Sequence, residues 1–195
     1  VIHRSHEFIQ LDALERYGGD GLFIHPVIGE KKKGDFQSHI ILKSYEIMID
    51  NFYPKNKVVL AAFPSKSYYA GPREAIFTAI CRKNHGCSHF IVGRDHTGVH
   101  DFYGAYDSHF IFDKFPDLGI TPIKYNNILY SRKGGNYFNS KKEATSCDEE
   151  GTNISGTEIR KILECGKKPP NWMIRNEISE MIQKEFDANN CVFVK

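Results

Sequence analysis

Three short apolar runs, each followed or preceded by a stretch of helical periodicity, constrain this chain most. The runs are Leu22–Ile28, Lys57–Phe63 and Ser88–Val92. Between and before them, apolar residues recur at helical spacing: Phe8, Leu11 and Leu14 within Ser5–Tyr17, then Ile40, Ile41, Tyr45 and Met48 within Phe36–Phe52. Gly18-Gly19 stops the first helix, and Pro72 opens a third that runs through Ile76 and Ile80 to Asn84. Strands that alternate with helices predict an α/β fold with a doubly wound parallel sheet and right-handed crossovers. In such sheets ligands sit outside the carboxyl ends of the strands. His3-Arg4-Ser5-His6 and Gly93-Arg94-Asp95-His96 are both expected at that edge.

Further along, Tyr106–Phe115 reads as a helix and Ile120–Ile123 as a short strand. The character changes at Tyr125. Ser131–Gly151 is rich in Gly, Ser, Lys and Asn and is predicted to be a long irregular loop. A helix from Ser155 through Ile159, Ile162 and Leu163 ends at Gly166, and a last helix is expected over Met173–Phe186. The expected division is a catalytic domain over 1–124 and a small C-terminal α/β subdomain over 125–195.

Composition excludes several classes. A net charge of +2 gives no nucleic-acid footprint, and Lys31-Lys32-Lys33 reads as a solvated loop. No apolar run approaches a membrane span of about 20 residues, and no signal pattern opens the chain. Five cysteines, an odd number, suit free thiols in a reducing compartment, so a cytoplasmic setting is expected.

Three motifs carry chemistry. His3 and His6 lie three apart at a helix start, on one face, beside free N–H groups and the positive end of the dipole. Two imidazoles there can donate to oxygens that gain charge in a transition state. A surface pair or half a metal site fits the same residues. In the second motif, Arg94 offers a planar fork for phosphate and Gly93 a tight turn; an Arg94–Asp95 pair closing the turn is the competing reading. In the third, Ser155-Gly156-Thr157-Glu158 fits a capping box, with Arg160 on the same turn as a possible phosphate clamp.

Taken in order, His3-Arg4-Ser5-His6-Glu7, Ala70-Gly71-Pro72-Arg73-Glu74-Ala75, His89–His96, Phe102–Asp107 and Ile154-Ser155-Gly156-Thr157 closely resemble the ATP sulfurylase (sulfate adenylyltransferase) family. The resemblance extends to Pro170-Asn171-Trp172, where Trp172 reads as a packing anchor. It implies the nucleotidyltransferase (HxGH-type) fold and transfer of AMP from ATP to sulfate, giving adenosine 5′-phosphosulfate and pyrophosphate. It implies that His3, His6 and Arg94 stabilise charge on the phosphates, and that Gly93, Arg94, Asp95 and His96 form the ATP-binding turn. Asn127 and Ile128 then fall near the adenine, and the Thr97 backbone N–H falls where sulfate is contacted. Arg73, Ser155 and Arg160 are possible phosphate contacts. Mg²⁺ is expected with ATP, held through substrate oxygens. Self-association is expected by resemblance alone.

Four departures qualify that reading. The family's Gln-x-Arg-Asn segment and the strand before it would precede Val1, so the sheet is expected to lack its first strand and the chain to be the carboxyl part of a longer polypeptide. Ser131 and Gly134 stand where some relatives place Cys-x-x-Cys, leaving Cys147, so no structural zinc is expected. Thr97 replaces a small residue. Tyr68 stands where many relatives have Arg, a change expected to weaken phosphate binding or to shift it to Arg73, which equally fits a helix-start residue. Two other functions remain open on these grounds: a nucleotidyltransferase acting on another anion, and a non-catalytic nucleotide-binding fragment that needs an upstream piece.

Overall fold

The computed structural model describes residues 1–98, 102–140 and 151–195. The chain divides into two compact units that interleave in sequence. One comprises Val1–Lys66, Leu129–Tyr137 and Glu150–Lys195; the other comprises Ser67–Ile128 and Phe138–Glu149. A cut after residue 124 falls inside the second unit.

The first unit carries α1 (Arg4–Arg16), β1 (Leu22–Ile24), α2 (Ser38–Asn51) and β2 (Val58–Leu60), then, late in the chain, α5 (Gly156–Glu164) and α6 (Asn176–Asp187). β1 and β2 pair in parallel with Phe23 opposite Val59, and a further parallel bridge joins Val27 to Phe63. The core forms where α2, α5 and α6 bring together Ile40, Met48, Ile159, Leu163, Ile178 and Ile182, each essentially buried. Ile159 and Leu163 lie four apart, as do Ile178 and Ile182, so each short helix turns one apolar stripe inward. Met173–Arg175 is not helical as expected: α6 starts at Asn176, because Arg175 has the extended backbone of an N-cap residue. Met173 and Ile174 are instead buried in the turn before it.

α1 is fastened by a buried carboxylate. Glu7 is 6% exposed. It accepts from Arg4 Nη1 at 3.2 Å on its own helix and from Arg175 Nε and Nη2 at 3.1 and 2.5 Å. The Arg175 guanidinium also lies 4.0 Å from the centre of the Phe52 ring. Arg4 continues the network, donating Nε to the Tyr137 hydroxyl at 3.1 Å, which donates in turn to the Trp172 carbonyl at 2.8 Å. Trp172 stacks flat on Tyr130 at 5.2 Å, the packing role expected for it.

The second unit contains α3 (Pro72–Asn84), β3 (His89–Val92), a single helical turn α4 (Asp107–Phe110) running into a 3-10 turn (Ile111–Lys114), and β4 (Thr121–Lys124). β3 and β4 are parallel, with Ile91 opposite Ile123, and a small core of Ala75, Ala79, Val92, Phe112 and Ile120 lies against them. The helix expected over Tyr106–Phe115 is thus broken into two short turns.

Two expectations need correction. The parallel strands do not form one doubly wound sheet among the described residues; they form two separate parallel pairs, one in each unit. Val59 of β2 is 63% exposed, as an apolar residue is when its face of a strand has nothing laid on it. The long loop expected over Ser131–Gly151 is also partly ordered into sheet. β5 (Ile128–Ser131), β6 (Asn136–Asn139) and β7 (Gly151–Asn153) make a three-stranded sheet in the order β6-β5-β7, with β5 and β7 antiparallel. In Asn-Tyr-Phe-Asn the two aromatic residues favour strand and the flanking Asn residues do not, and pairing with neighbours decides for strand. Ser131 and Gly134 close the β5–β6 turn: Gly134 N–H donates to Ser131 Oγ at 3.0 Å. Cys147 lies outside the described residues. Among the described residues no helix is long and apolar enough to cross a membrane.

Replacing Glu7 by Gln leaves the two arginines facing a neutral amide. Because both guanidiniums keep some solvent, a loss of about 2 kcal/mol is expected, below the full cost of stripping a fully buried pair. Urea denaturation of parent and variant measures it; a difference under about 0.5 kcal/mol would show that the clamp contributes little.

Candidate active site

In the first unit the histidine pair sits at the start of α1. His3 is the N-cap, with extended backbone, and its carbonyl accepts from the N–H groups of His6 and Glu7 at 3.0 and 3.2 Å. Its side chain makes no capping bond and stacks on His6 instead, ring centres 3.7 Å apart and planes inclined by 21°. His3 Nδ1 lies 2.8 Å from Ser5 Oγ. Burial, reinforced by the nearby His6 ring, holds the His3 pKa well below its usual value, so the imidazole is neutral at neutral pH. His6 is exposed. The expectation of two rings on one helical face holds, with stacking as the added detail.

Ser155 and Arg160 belong to the same unit and are used structurally. Ser155 Oγ accepts from Glu158 N–H at 3.3 Å, the forward half of the predicted capping box. Arg160 Nη1 lies 3.4 Å from Asp35 Oδ1, and its Nη2 donates to Thr157 Oγ1 at 3.2 Å.

In the second unit β3 delivers the chain into Gly93–Gly98, a turn bonded on all sides. Asp95 N–H donates to the Ala105 carbonyl at 2.7 Å, and Ser108 Oγ donates to the His96 carbonyl at 3.0 Å. His109 Nε2 donates to the Gly93 carbonyl at 3.1 Å. Asp95 and Thr97 both have positive φ, 53° and 56°, a strained conformation for non-glycine residues that persists only where neighbours impose it. The glycine expected to permit the turn does not do so. Gly93 is not at positive φ, and a Cβ there would meet nothing within 4 Å. The strain falls on Asp95 and Thr97.

Thr97 joins this turn to the loop before α3. Its carbonyl accepts from Gly71 N–H at 3.0 Å, while its hydroxyl donates toward the Gly71 carbonyl at 3.0 Å and the His96 carbonyl at 2.7 Å. Gly71 is at φ 52°, ψ −120°, with Tyr103 Cδ2 2.5 Å from where a Cβ would stand. Glu74, buried at 4% exposure, folds back to accept from the N–H groups of Tyr68 and Ala70 at 3.2 and 3.0 Å. In the sequence Glu74 stands only as one member of the Ala70–Ala75 motif; its carboxylate shapes the loop that Thr97 holds. His109 and Ser108 were likewise missed, because nothing in Ser-His-Phe marks them as partners of a turn 12 to 16 residues away.

Arg94 is exposed, and among the described residues no hydrogen bond or ion pair engages it. The competing reading of an Arg94–Asp95 pair is therefore not what forms; the Asp95 carboxylate folds over the α-carbon of Gly98. Arg73 is also exposed, in the first turn of α3. His96 packs edge-on against Phe90 at 5.5 Å, and burial, with Arg82 and His109 adding to it, lowers its pKa to about 4. Tyr125 N–H donates to the Val92 carbonyl at 2.9 Å, which places Asn127 and the buried Ile128 just beyond the same strand end. Asn127 O in turn accepts from Ser140 N–H at 3.0 Å. Chemically, the second unit offers a rigid turn with one free guanidinium and one exposed carboxylate; the first offers a neutral histidine and its stacked partner.

Comparison with known proteins agrees with the motifs. The sequence profile of the ATP-sulfurylase family matches residues 1–185. The sulfate adenylyltransferase of Halothermothrix orenii is 49% identical over 183 residues, 93% of this chain and 47% of that protein. Those of Thermococcus onnurineus and Pyrococcus abyssi are 48% and 46% identical, over 93% and 96% of this chain. The chain spans about half the length of the curated relatives it matches. Among solved structures, one titled as a hexameric APS kinase from Thiobacillus denitrificans superposes over 97% of this chain and 35% of its own, with a TM-score of 0.72 at 20% identity. At that identity the likeness concerns the fold alone.

Two outcomes follow from the second unit. Gly71→Ala forces a Cβ into Tyr103 at a backbone conformation only glycine tolerates, and is expected to cost about 3 kcal/mol by urea denaturation; a loss under about 1 kcal/mol would mean that the loop simply shifts. For His96, the unfolded chain takes up a proton near 6.5 and the folded chain only near 4. The unfolded state thus binds more protons between those values, so stability is whole above about pH 6.5 and falls as pH drops toward 4, by about 2 kcal/mol for a partly exposed ring. His96→Gln is expected to flatten that part of the stability–pH curve; an unchanged slope would assign the loss to other groups.

Proposed function

We propose, on the premise that this chain belongs to the ATP-sulfurylase family, that it is the adenylyl-transferring part of a sulfate adenylyltransferase with a nucleotidyltransferase (HxGH-type) fold. The observation that carries this reading is the free Arg94 guanidinium on a turn braced by Gly71, Ala105 and Ser108. The neutral His3 ring, stacked on His6 at the start of α1, supports it.

In the reaction a sulfate oxygen forms a bond to the α-phosphorus of ATP. The bond from that phosphorus to the bridging oxygen breaks, and its electron pair leaves on pyrophosphate. Sulfate is already an anion, so no general base is needed and none is assigned. The protein's work is positioning and charge stabilisation. His3 and His6 donate hydrogen bonds to phosphate oxygens as charge develops, and Arg94 grips the phosphates through its planar fork. A neutral imidazole suits this, since it donates without first having to lose solvent and a counter-ion.

The N–H of Thr97 is assigned to sulfate. Its hydroxyl already serves the Gly71 and His96 carbonyls, so the side chain has a structural use of its own. Gly93, Asp95 and His96 form the wall of the nucleotide turn, and Asn127 with Ile128 lies toward the adenine. Arg73, exposed at a helix start, is the preferred extra phosphate contact. Ser155 and Arg160 are weaker candidates, because both are engaged with protein groups. Mg²⁺ brought by ATP would be held through substrate oxygens and would neutralise charge on the pyrophosphate; the exposed Asp95 carboxylate is the hard oxygen donor of this turn that would suit it.

We extend the reading to self-association, as the solved neighbour is titled hexameric, and to a reducing, cytoplasmic setting, which suits the free thiols Cys81, Cys87, Cys165 and Cys191. The test is pyrophosphate-dependent formation of ATP from adenosine 5′-phosphosulfate, with His6→Ala and Arg94→Ala as controls. Activity that falls about 100-fold in each control is the expected result. Tight binding of ATP with no turnover in the parent would leave nucleotide binding and remove transfer by this chain alone.

A further inference from the structure

The Ser5 hydroxyl has one hydrogen-bond partner among the described residues, and it is the Nδ1 of His3 at 2.8 Å. The geometry points to Ser5 as a positioning residue that locks His3 in its Nε2–H tautomer. The inference rests on the adenylyl-transfer reading only for the use to which that proton is put.

A neutral imidazole carries one N–H and one lone pair, and whichever nitrogen is bonded to a neighbour decides the other. The imidazolium is disfavoured here on three counts. The ring stacks on another imidazole at 3.7 Å. It lies at the positive end of a helix dipole, in a helix of 13 residues. It is also partly withdrawn from water, which lowers its pKa. Two neutral tautomers remain. If Nδ1 carried the proton, Ser5 Oγ would accept it, the hydroxyl's own proton would have no described acceptor, and Nε2 would offer only a lone pair. A lone pair repels an anionic oxygen. If Ser5 donates to Nδ1, the hydroxyl proton is used and Nε2–H becomes the ring's one donor. Only the second arrangement both satisfies the serine and equips His3 to bind a phosphate oxygen.

Position explains why a serine can do this. Ser5 lies in the first turn of α1, two residues past the cap, where its side chain is close enough to reach back to the ring of His3. His3 needs such a partner, because its side chain takes no part in capping the helix. Arg4 and Glu7, the flanking residues of that turn, are committed to each other.

The test uses the chain labelled with ¹⁵N and long-range ¹H–¹⁵N correlation of its imidazoles, recorded above the ordinary histidine range. His3 is expected to show a protonated Nε2 and a bare Nδ1. In Ser5→Ala both His3 nitrogens should move toward intermediate shifts as the tautomers mix, while Ser5→Thr, which keeps the hydroxyl, restores the parent pattern. In the assay above, Ser5→Ala is expected to lower kcat about 10-fold at unchanged KM for ATP, with Ser5→Thr again recovering it. A protonated Nδ1 in the parent, or a Ser5→Ala spectrum identical to the parent's, would overturn the lock. A mixed tautomer with undiminished kcat would overturn its positioning role. A tautomer shift in a chain that shows no transfer at all would uphold the lock and remove the adenylyl-transfer reading instead.

Discussion

The Glu7 carboxylate, buried under two guanidiniums, is the interaction on which the first unit depends. It joins residue 7 to residue 175, so the beginning of α1 and the turn before α6 are held by one charge cluster. A carboxylate so deep is tolerated because each oxygen accepts from an arginine, and each arginine is in turn laid on an aromatic ring, Phe52 or Tyr137. This network sits a single helical turn from His3 and His6. The rigidity that the proposed charge-stabilising role needs is supplied there by a network to which neither ring belongs.

The second unit solves the same problem with backbone. Gly93–Gly98 contains two non-glycine residues at positive φ, and such strain is kept only if the surroundings over-determine it. Ala105, Ser108, His109 and Gly71 each bond this turn, and Glu74 holds the Gly71 loop from beneath. Those contacts use the Asp95 N–H, the carbonyls of Gly93, His96 and Thr97, and the Thr97 hydroxyl, and they leave Arg94 out. A stiff frame with one unsatisfied cation is a sound arrangement for gripping an anion. It also explains why Gly93, which looks from sequence like the hinge of the turn, is not strained at all.

Much of this was legible in the chain itself. Residues 22–24, 58–60 and 89–92 lie inside the three apolar runs, and α1, α2 and α3 follow the 3.6-residue periodicity within a residue or two at most ends. The capping serine at 155 behaves as its spacing predicts. The misses share a cause. β6 is a short Asn-flanked aromatic pair inside a Gly- and Lys-rich stretch, and pairing makes it a strand; the helix expected through Tyr106–Phe115 is broken up in a segment where Ser108 and His109 serve the neighbouring turn. The single sheet was an inference from local alternation, and alternation does not say which strands become neighbours.

By itself, then, the sequence determined family, element types and the residues equipped for phosphate chemistry, because side-chain identity and period are local properties. Tertiary structure alone decided which of those residues are free to act. Arg94 and Arg160 are equally plausible clamps on paper, yet Asp35, 125 residues away, meets Arg160 while nothing described meets Arg94. Likewise only folding brings Glu7 to Arg175 and Thr97 to Gly71. Hydrogen bonds and ion pairs act over about 3 Å of space, whatever the separation along the chain, so no local pattern could announce these pairings.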